Sequence, residues 1–391
     1  MPAIRPAPTP MRSLIARLIA PLIVPLVGLG VASLACASPK TDRVLNNVRL
    51  PSGFELEVYA DDVPGARSMA LGREGTLFVG TRGTKVYALS RPSGPGARPS
   101  VRVIADGLRM PNGVAFRDGA LYVAEISRIL RYDDIETALA ATEGASARLP
   151  APKIVRDDLP KDAHHGWKYI AFGPDGKLYV PIGAPCNVCN EAGYASITRM
   201  NADGSGHEVY ARGIRNSVGF TWHPATKELW FTDNGRDHLG DDAPPCELNV
   251  APRAGLDFGF PYCHGRNVKD PEFGALGDCA KMTPPVQALG AHVAPLGVKF
   301  YTGSAFPAAY RDQVFIAEHG SWNRNEKNGY RISLVRLEGR EAVAYEPFVS
   351  GFNRGDQVYG RPVDLLVMED GSMLVSDDAA GAIYRIRYTG S

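Results

Sequence analysis

The 391-residue sequence predicts an all-β fold on two observations. A short turn runs into a strand six times with much the same grammar. The copies are GREGTLFV (Gly72–Val79), FRDGALYV (Phe116–Val123), GPDGKLYV (Gly173–Val180), HPATKELWF (His223–Phe231), YRDQVFI (Tyr310–Ile316) and MEDGSMLV (Met368–Val375). Each joins a polar turn, usually with Gly, to apolar and aromatic residues that suit a half-buried strand. Second, helical periodicity is scarce beyond the N-terminus, while 42 Gly and 31 Pro mark many turns. Strand-only repeats about 45–90 residues apart are the mark of propeller blades, each a small antiparallel sheet around a common axis. Six copies therefore predict a six-bladed β-propeller of four-stranded antiparallel blades.

Taken in order, residues 1–35 read as an export signal. Arg5, Arg12 and Arg17 precede an apolar run from Leu18 to Ala35, which Pro21 and Pro25 interrupt. Ala35-Cys36 is compatible with a lipoprotein junction at which Cys36 is acylated, giving membrane attachment, and equally with ordinary cleavage nearby. Either reading places the body, residues 41–391, outside the cytoplasm, in the periplasm or lipid-anchored at a membrane surface. Thr41–Leu50 is a polar lead-in, and Leu50–Tyr59 alternates as a strand. Ala382–Tyr388 also reads as a strand, and propellers commonly close by pairing their terminal strands. Ile135–Ala147, rich in Ala and Glu, suits a short surface helix. Arg236–Pro295, rich in Pro, Gly and Asp, breaks the repeat spacing and reads as an elaborate loop on the active face.

Five cysteines follow the signal: Cys186, Cys189, Cys246, Cys263 and Cys279. In an exported chain the two close pairs predict disulfides, leaving Cys246 over. Asn190 after Cys189 removes a haem attachment site. Without residues 1–35 the charge is near −2 (40 basic against 42 acidic), which gives no support for nucleic-acid binding. No P-loop, HExxH helix or GxSxG elbow is present.

Several polar constellations stand next to the repeats. Asp162-Ala-His164-His165-Gly-Trp167-Lys168 precedes the third and offers a proton acceptor near neutral pH. Gly213-Ile-Arg215-Asn216 precedes the fourth and suits an oxyanion or carboxylate. Thr232–Asp242 with Glu247-Leu-Asn249 gathers oxygen donors that suit Ca²⁺, without the spacing of an EF-hand. Glu318-His319-Gly-Ser-Trp322-Asn-Arg324 follows the fifth repeat, and Gly360-Arg361-Pro362 enters the sixth. Singly each also suits solvated surface. Together, Arg82, Arg215, Arg324 and Arg361 sit at equivalent blade ends and imply a polyanionic ligand, a multi-carboxylate one.

These residues resemble the soluble pyrroloquinoline quinone (PQQ)-dependent sugar dehydrogenases, the glucose/sorbosone dehydrogenase family, most closely its sorbosone-dehydrogenase-like branch. The likeness runs from about Leu50 to Tyr388. It rests on His165 eight residues before Gly173, GIRN at Gly213–Asn216, Asn234-Gly235 with Glu247-Leu-Asn249, AEHGSWNR at Ala317–Arg324 and GRPV at Gly360–Val363. The resemblance implies a propeller holding PQQ over Ca²⁺ at its mouth. A sugar hydroxyl would lose its proton to His165 and its hydride to the quinone, whose electrons pass to a cytochrome or another quinone. By position, His165 matches the general base. Arg215 and Asn216 match groups on the quinone, and Arg82, Asn234, His319, Arg324 and Arg361 complete the expected cofactor set. Gly235 and Arg236 match backbone-carbonyl ligands of the cofactor's calcium, and Glu247 a ligand of a second calcium. Three positions depart from the pattern. Ala184 stands where many relatives place an Asp to orient the histidine, so that partner is absent or supplied by the Gly183–Cys189 loop; Cys246 stands where an acid usually precedes Glu-Leu-Asn, and His319 where many carry Lys. A metal-dependent lactonase and a non-catalytic sugar- or protein-binding propeller are the competing readings.

Overall fold

The second strand of every blade is a five-residue run, mostly apolar or small, such as Leu77–Thr81 and Leu178–Ile182; in three blades it ends on an acid (Asp233, Glu318, Asp377), and all five positions are buried. Burial on both faces differs from the half-buried strand that the alternation predicts. The reason is the architecture: side chains alternate across a strand, and each face meets a different neighbouring blade. Leu77 and Val79 pack with the sixth blade, whereas Phe78 packs with the second. Likewise Leu178 and Val180 join a cluster with Tyr122, whereas Tyr179 joins Phe220 and Phe231. Six such clusters lie at the six blade interfaces.

The computed structural model describes residues 1–3, 5, 38–94, 96–142 and 149–390. The expected export signal and Cys36 lie outside them, apart from a few residues at the extreme N-terminus. Six antiparallel sheets of four strands surround one axis, in chain order except at the closure. Blades 1 to 6 begin with inner strands at Ala66–Leu71, Gly113–Arg117, Ala171–Phe172, Phe220–Trp222, Pro295–Phe300 and Pro362–Val367. The outermost strand of blade 6 is the N-terminal Phe54–Ala60, antiparallel to Ala382–Tyr388 with Phe54 opposite Tyr388. This is the terminal pairing that the sequence suggests, and it leaves the last blade complete.

The helix expected over Ile135–Ala147 forms at Ile135–Ala141, and residues 143–148 lie outside the described set. Arg236–Pro295 is not one long loop. Pro245–Ala251 and Gln287–Ala291 within it are the third and fourth strands of blade 4. Glu247-Leu-Asn249 therefore lies on a strand. The Pro, Gly and Asp residues flanking both strands concealed them. The remaining insertion is tied by the Cys263–Cys279 disulfide and adds a parallel strand, Leu256–Asp257, to the outer edge of blade 3. Cys186–Cys189 is bridged as well, and Cys246 is free and buried. Among the described residues no helix is long and apolar enough to cross a membrane.

One local device recurs. An acid at the end of a second strand accepts the backbone N–H of an arginine in the turn leading to the inner strand of its own blade. Glu125 accepts from Arg109 at 2.5 Å, Asp233 from Arg215 at 2.8 Å and Asp377 from Arg361 at 2.9 Å. Asp233 also takes the N–H of Asn216, and Asp377 those of Ala379 and Ala380. Buried carboxylates are tolerable only when bonded in this way.

Ring closure depends on the packing of the N-terminal strand. Phe54 meets Phe306, Tyr310, Phe348 and Tyr388 with ring centroids 4.8–5.2 Å apart. Phe54→Ala is expected to cost about 3–5 kcal/mol, read as a lower denaturation midpoint. A loss below about 1 kcal/mol would mean that the aromatic cluster does not hold the closure.

Candidate active site

Loops from five blades meet at one mouth of the axis around a cavity of about 400 Å³. Arg67 comes from the inner strand of blade 1, and His165 from the loop into blade 3. Arg215 and Asn216 enter blade 4, His319 follows the second strand of blade 5, and Arg361 enters blade 6. Residues far apart in sequence thus line one space, as a propeller axis permits.

His165 sits in a left-handed backbone conformation with φ of 49°. Its close neighbour is Gly183, where an added Cβ would come within 2.6 Å of the His165 Cβ and 2.7 Å of its carbonyl oxygen. Only glycine admits that approach. His165 Nδ1 lies 2.8 Å from the Ala184 carbonyl oxygen. Nδ1–H therefore donates, and Nε2 keeps its lone pair. Ala184 thus orients the imidazole through its backbone, at the position where the sequence resemblance implies an Asp. Burial, then the Arg215 cation and His164, hold the His165 pKa far below the usual value. The ring stays a neutral base across neutral pH.

The cations are each anchored. Arg67 is 1% exposed, donates Nε to Asn112 Oδ1 at 2.5 Å and Nη1 to Asp378 at 3.0 Å, and stacks 3.9 Å above the Trp167 ring. Burial lowers its pKa to about 10, so it remains charged. Arg361 donates to the carbonyl oxygens of His319 and Gly320 at 3.1 and 3.0 Å. His319 Nε2 lies 2.9 Å from Asp378. Burial pushes His319 down to about 4 against the pull of Asp378, so a neutral ring donates Nε2–H. Burial works against ionising Asp378, yet His319, Arg67 and Arg82 keep it a carboxylate.

The other expected residues divide. Asn234 lines the cavity, but its side-chain N–H groups brace the carbonyl oxygens of Asn216 and Pro295. Arg82 stands beside the cavity lining, 3.5 Å from Asp378 and 5.6 Å from the Trp167 ring. Arg324 does not join the lining. The acidic turn at 241–242 captures its guanidinium, through the Asp241 carbonyl oxygen and Asp242 at 3.0 Å. Arg67 and Asp378 were missed. A signal existed for Arg67, since Gly65-Ala-Arg67 repeats the form of Gly213-Ile-Arg215 three blades earlier.

Behind Arg215 lies a small cavity of about 10 Å³ lined by Asp233, Gly235 and Glu247, among others. Glu247 accepts from the Gly265 N–H at 2.6 Å and from Asn249 at 2.9 Å, and among the described residues it has no cationic partner. Burial, and for Glu247 the neighbouring Asp233 charge, push both carboxyl groups upward. Among the described residues, buried Asn249 Oδ1 has no hydrogen-bond partner. The Gly235 and Arg236 carbonyl oxygens accept no hydrogen bond among the described residues, while the Arg236 side chain is bound to Asp270 at 2.6 Å and Glu272 at 3.1 Å. This hard-oxygen donor set fits a divalent cation such as calcium. No group of three or more His, Cys, Asp or Glu suited to a metal occurs among the described residues.

The glucose/sorbosone dehydrogenase family model matches residues 117–385. A Borreliella burgdorferi protein, described only as uncharacterized, is 34% identical over 358 residues, 89% of this chain and 92% of the relative. The holo form of the pyranose dehydrogenase PQQ domain from Coprinopsis cinerea superposes with a TM-score of 0.73 at 18% identity, over 87% of this chain and 97% of that one. The calcium structure of a Trichoderma reesei carbohydrate-active enzyme gives 0.74 at 19% identity, over 90% and 100%. With the family model spanning blades 2 to 6 and the six-bladed frame shared with these structures, the chain belongs to the glucose/sorbosone dehydrogenase family.

Proposed function

We propose that this protein is a PQQ- and calcium-dependent dehydrogenase acting on an aldose or a sorbosone-like sugar, with electrons leaving to a cytochrome or another quinone. The observation that carries the reading is the convergence of Arg67, Arg215 and Arg361 with two neutral histidines on one cavity. A neutral sugar needs no such ring of cations, whereas a flat tricarboxylate quinone does. The holo pyranose dehydrogenase domain on the same frame supports PQQ, and the calcium structure supports the metal. The exported, periplasmic or lipid-anchored location read from residues 1–36 fits a protein that hands electrons outward.

Arg215, Asn216, His319 and Arg361 would hold the cofactor, with Arg67 beneath and Arg82 at the edge. Gly235 and Arg236 carbonyl oxygens would face its calcium, and Glu247 a second one. Bound there, the quinone supplies a hydride acceptor that calcium polarises as a Lewis acid. The remaining work falls to the chain. His165 Nε2 takes the proton of the sugar hydroxyl while Ala184 holds the ring in the required tautomer. Arg215, on the cavity wall, would present positive charge to the bound quinone. Second to burial, its cation also disfavours the protonated form of His165.

The deciding experiment titrates apo-protein with PQQ, with and without calcium, and assays dye reduction with a panel of aldoses. Saturable, calcium-dependent reduction supports the reading. Cofactor-free lactone hydrolysis, or no turnover with any aldose or aldehyde, overturns it. His165→Ala is expected to lower kcat by about 10²–10⁴-fold while quinone binding, followed by absorbance, stays unchanged. Arg361→Ala is expected to weaken PQQ binding by about 10–100-fold, the loss of a charge-assisted contact, visible as a shifted reconstitution curve. Calcium is expected to raise the denaturation midpoint of the apo-protein, and Glu247→Gln to reduce that increase. An equal increase in both proteins would remove Glu247 from the metal set.

A further inference from the structure

Arg215 carries five N–H donors in a rigid fork. Among the described residues, four of them have partners. Nε donates to the Asn187 carbonyl oxygen at 2.8 Å and Nη2 to Asn187 Oδ1 at 2.9 Å. Nη2 also reaches Asp237 at 3.2 Å, and Nη1 the Asn234 carbonyl oxygen at 3.2 Å. One Nη1–H remains. Its direction depends on the plane of the guanidinium. Asn187 fixes that plane, because it alone holds two donors along one edge of the fork.

Asn187 is itself held on every side. Its Oδ1 accepts from the Asp237 N–H at 2.8 Å, and its Nδ2 donates to the Asp237 carbonyl oxygen at 3.1 Å. The flanking cysteines close a four-residue turn through the Cys186–Cys189 disulfide. Two residues before the turn stands Ala184, whose carbonyl oxygen orients His165. Ala184 N–H in turn donates to the Arg215 carbonyl oxygen at 2.8 Å. Base and cation are therefore registered to one short, bridged segment.

We propose that Asn187, locked in the Cys186–Cys189 turn, is the positioning residue that aims Arg215 at the reacting oxygen. The inference rests on the functional reading above for its kinetic consequence, and on the apo geometry alone for its structural one. Without the Asn187 side chain the guanidinium keeps Asp237, the Asn234 carbonyl oxygen and the main-chain carbonyl of residue 187, but the turn that carries that carbonyl loses both of its bonds to Asp237 and is free to shift. A displacement of about 1 Å is enough to cost on the order of 10²-fold in rate.

The test compares Asn187→Ala, Asn187→Asp and the double variant Cys186→Ser/Cys189→Ser with the parent protein. Asn187→Ala is expected to lower kcat by about 10–100-fold, with KM for the sugar nearly unchanged. Asn187→Asp keeps an oxygen acceptor for Nη2 and is expected to recover most of that loss. The double serine variant is expected to resemble Asn187→Ala. A kcat equal to the parent in Asn187→Ala, or no recovery in a folded Asn187→Asp, overturns the proposal. A readout free of the cofactor is the crystal structure of the apo-proteins. Arg215 is expected in one orientation in the parent, and rotated or dispersed in Asn187→Ala. An unmoved guanidinium overturns the proposal as well. If the parent shows no quinone-dependent turnover, the functional reading fails while the apo structures still decide the role of Asn187.

Discussion

A buried carboxylate that grips the backbone N–H of an arginine is the constraint on which the site depends. Asp233 under Arg215 and Asp377 under Arg361 are both buried, and each takes two or more main-chain donors. The acid stands at the end of a second strand, so the rigid sheet sets where the turn begins. The arginine side chain then leaves from a fixed point. Without that grip, a loop at the mouth of a propeller would be free to choose among conformations, and the cations would not converge. Glu318 departs from the scheme: its carboxylate binds Arg331, Ser333 and Tyr345 within blade 5, and that blade presents His319 in place of an arginine.

The electrostatics of the cavity follow from the same economy of fixed charges. Asp378 is shared by Arg67, Arg82 and His319, and Asp237 faces Arg215. These carboxylates keep the cluster of cations from expelling itself, while leaving net positive charge toward the cavity. A preorganised field of this kind needs no rearrangement when an anion arrives or a charge develops. The two histidines, neutral for the same reason of burial, differ in what they offer. His165 presents an open lone pair with its proton on a backbone carbonyl. His319 donates its proton to a carboxylate. One scaffold thereby keeps two imidazoles in distinct states.

The propeller was legible because turn chemistry and strand composition repeat at the second strand of each blade, where burial on two faces demands apolar residues. The spacing of the cysteine pairs and the alternation at both termini were legible for similar local reasons. His165, Arg215, Asn216, His319 and Arg361 stood in motifs beside those strands, and all line the cavity. What escaped notice was carried by tertiary contacts. The Gly183–Cys189 loop was one expected source of the group that orients His165, but no side chain announces which backbone oxygen does so, and it is that of Ala184. Arg324 sits in the same motif as His319, yet the acidic pair at 241–242 draws it outward. The third and fourth strands of blade 4 were hidden by the proline and glycine residues beside them. Arg67 lay in a Gly-x-Arg echo whose meaning depends on knowing which strand ends share an axis.

Pairing Phe54 with Tyr388 joins nearly opposite ends of the chain. A ring sealed by so distant a contact has a folding problem of high contact order, and loop-closure entropy opposes the last step until the packing surface exists. The first strand synthesised must wait for the last one. Nascent chains that emerge end first therefore hold five blades' worth of apolar edge without a seal. Premature termination anywhere before residue 382 leaves an open, sticky arc in place of a slightly shortened enzyme, and quality control acting on such arcs would make abundance report on full-length synthesis.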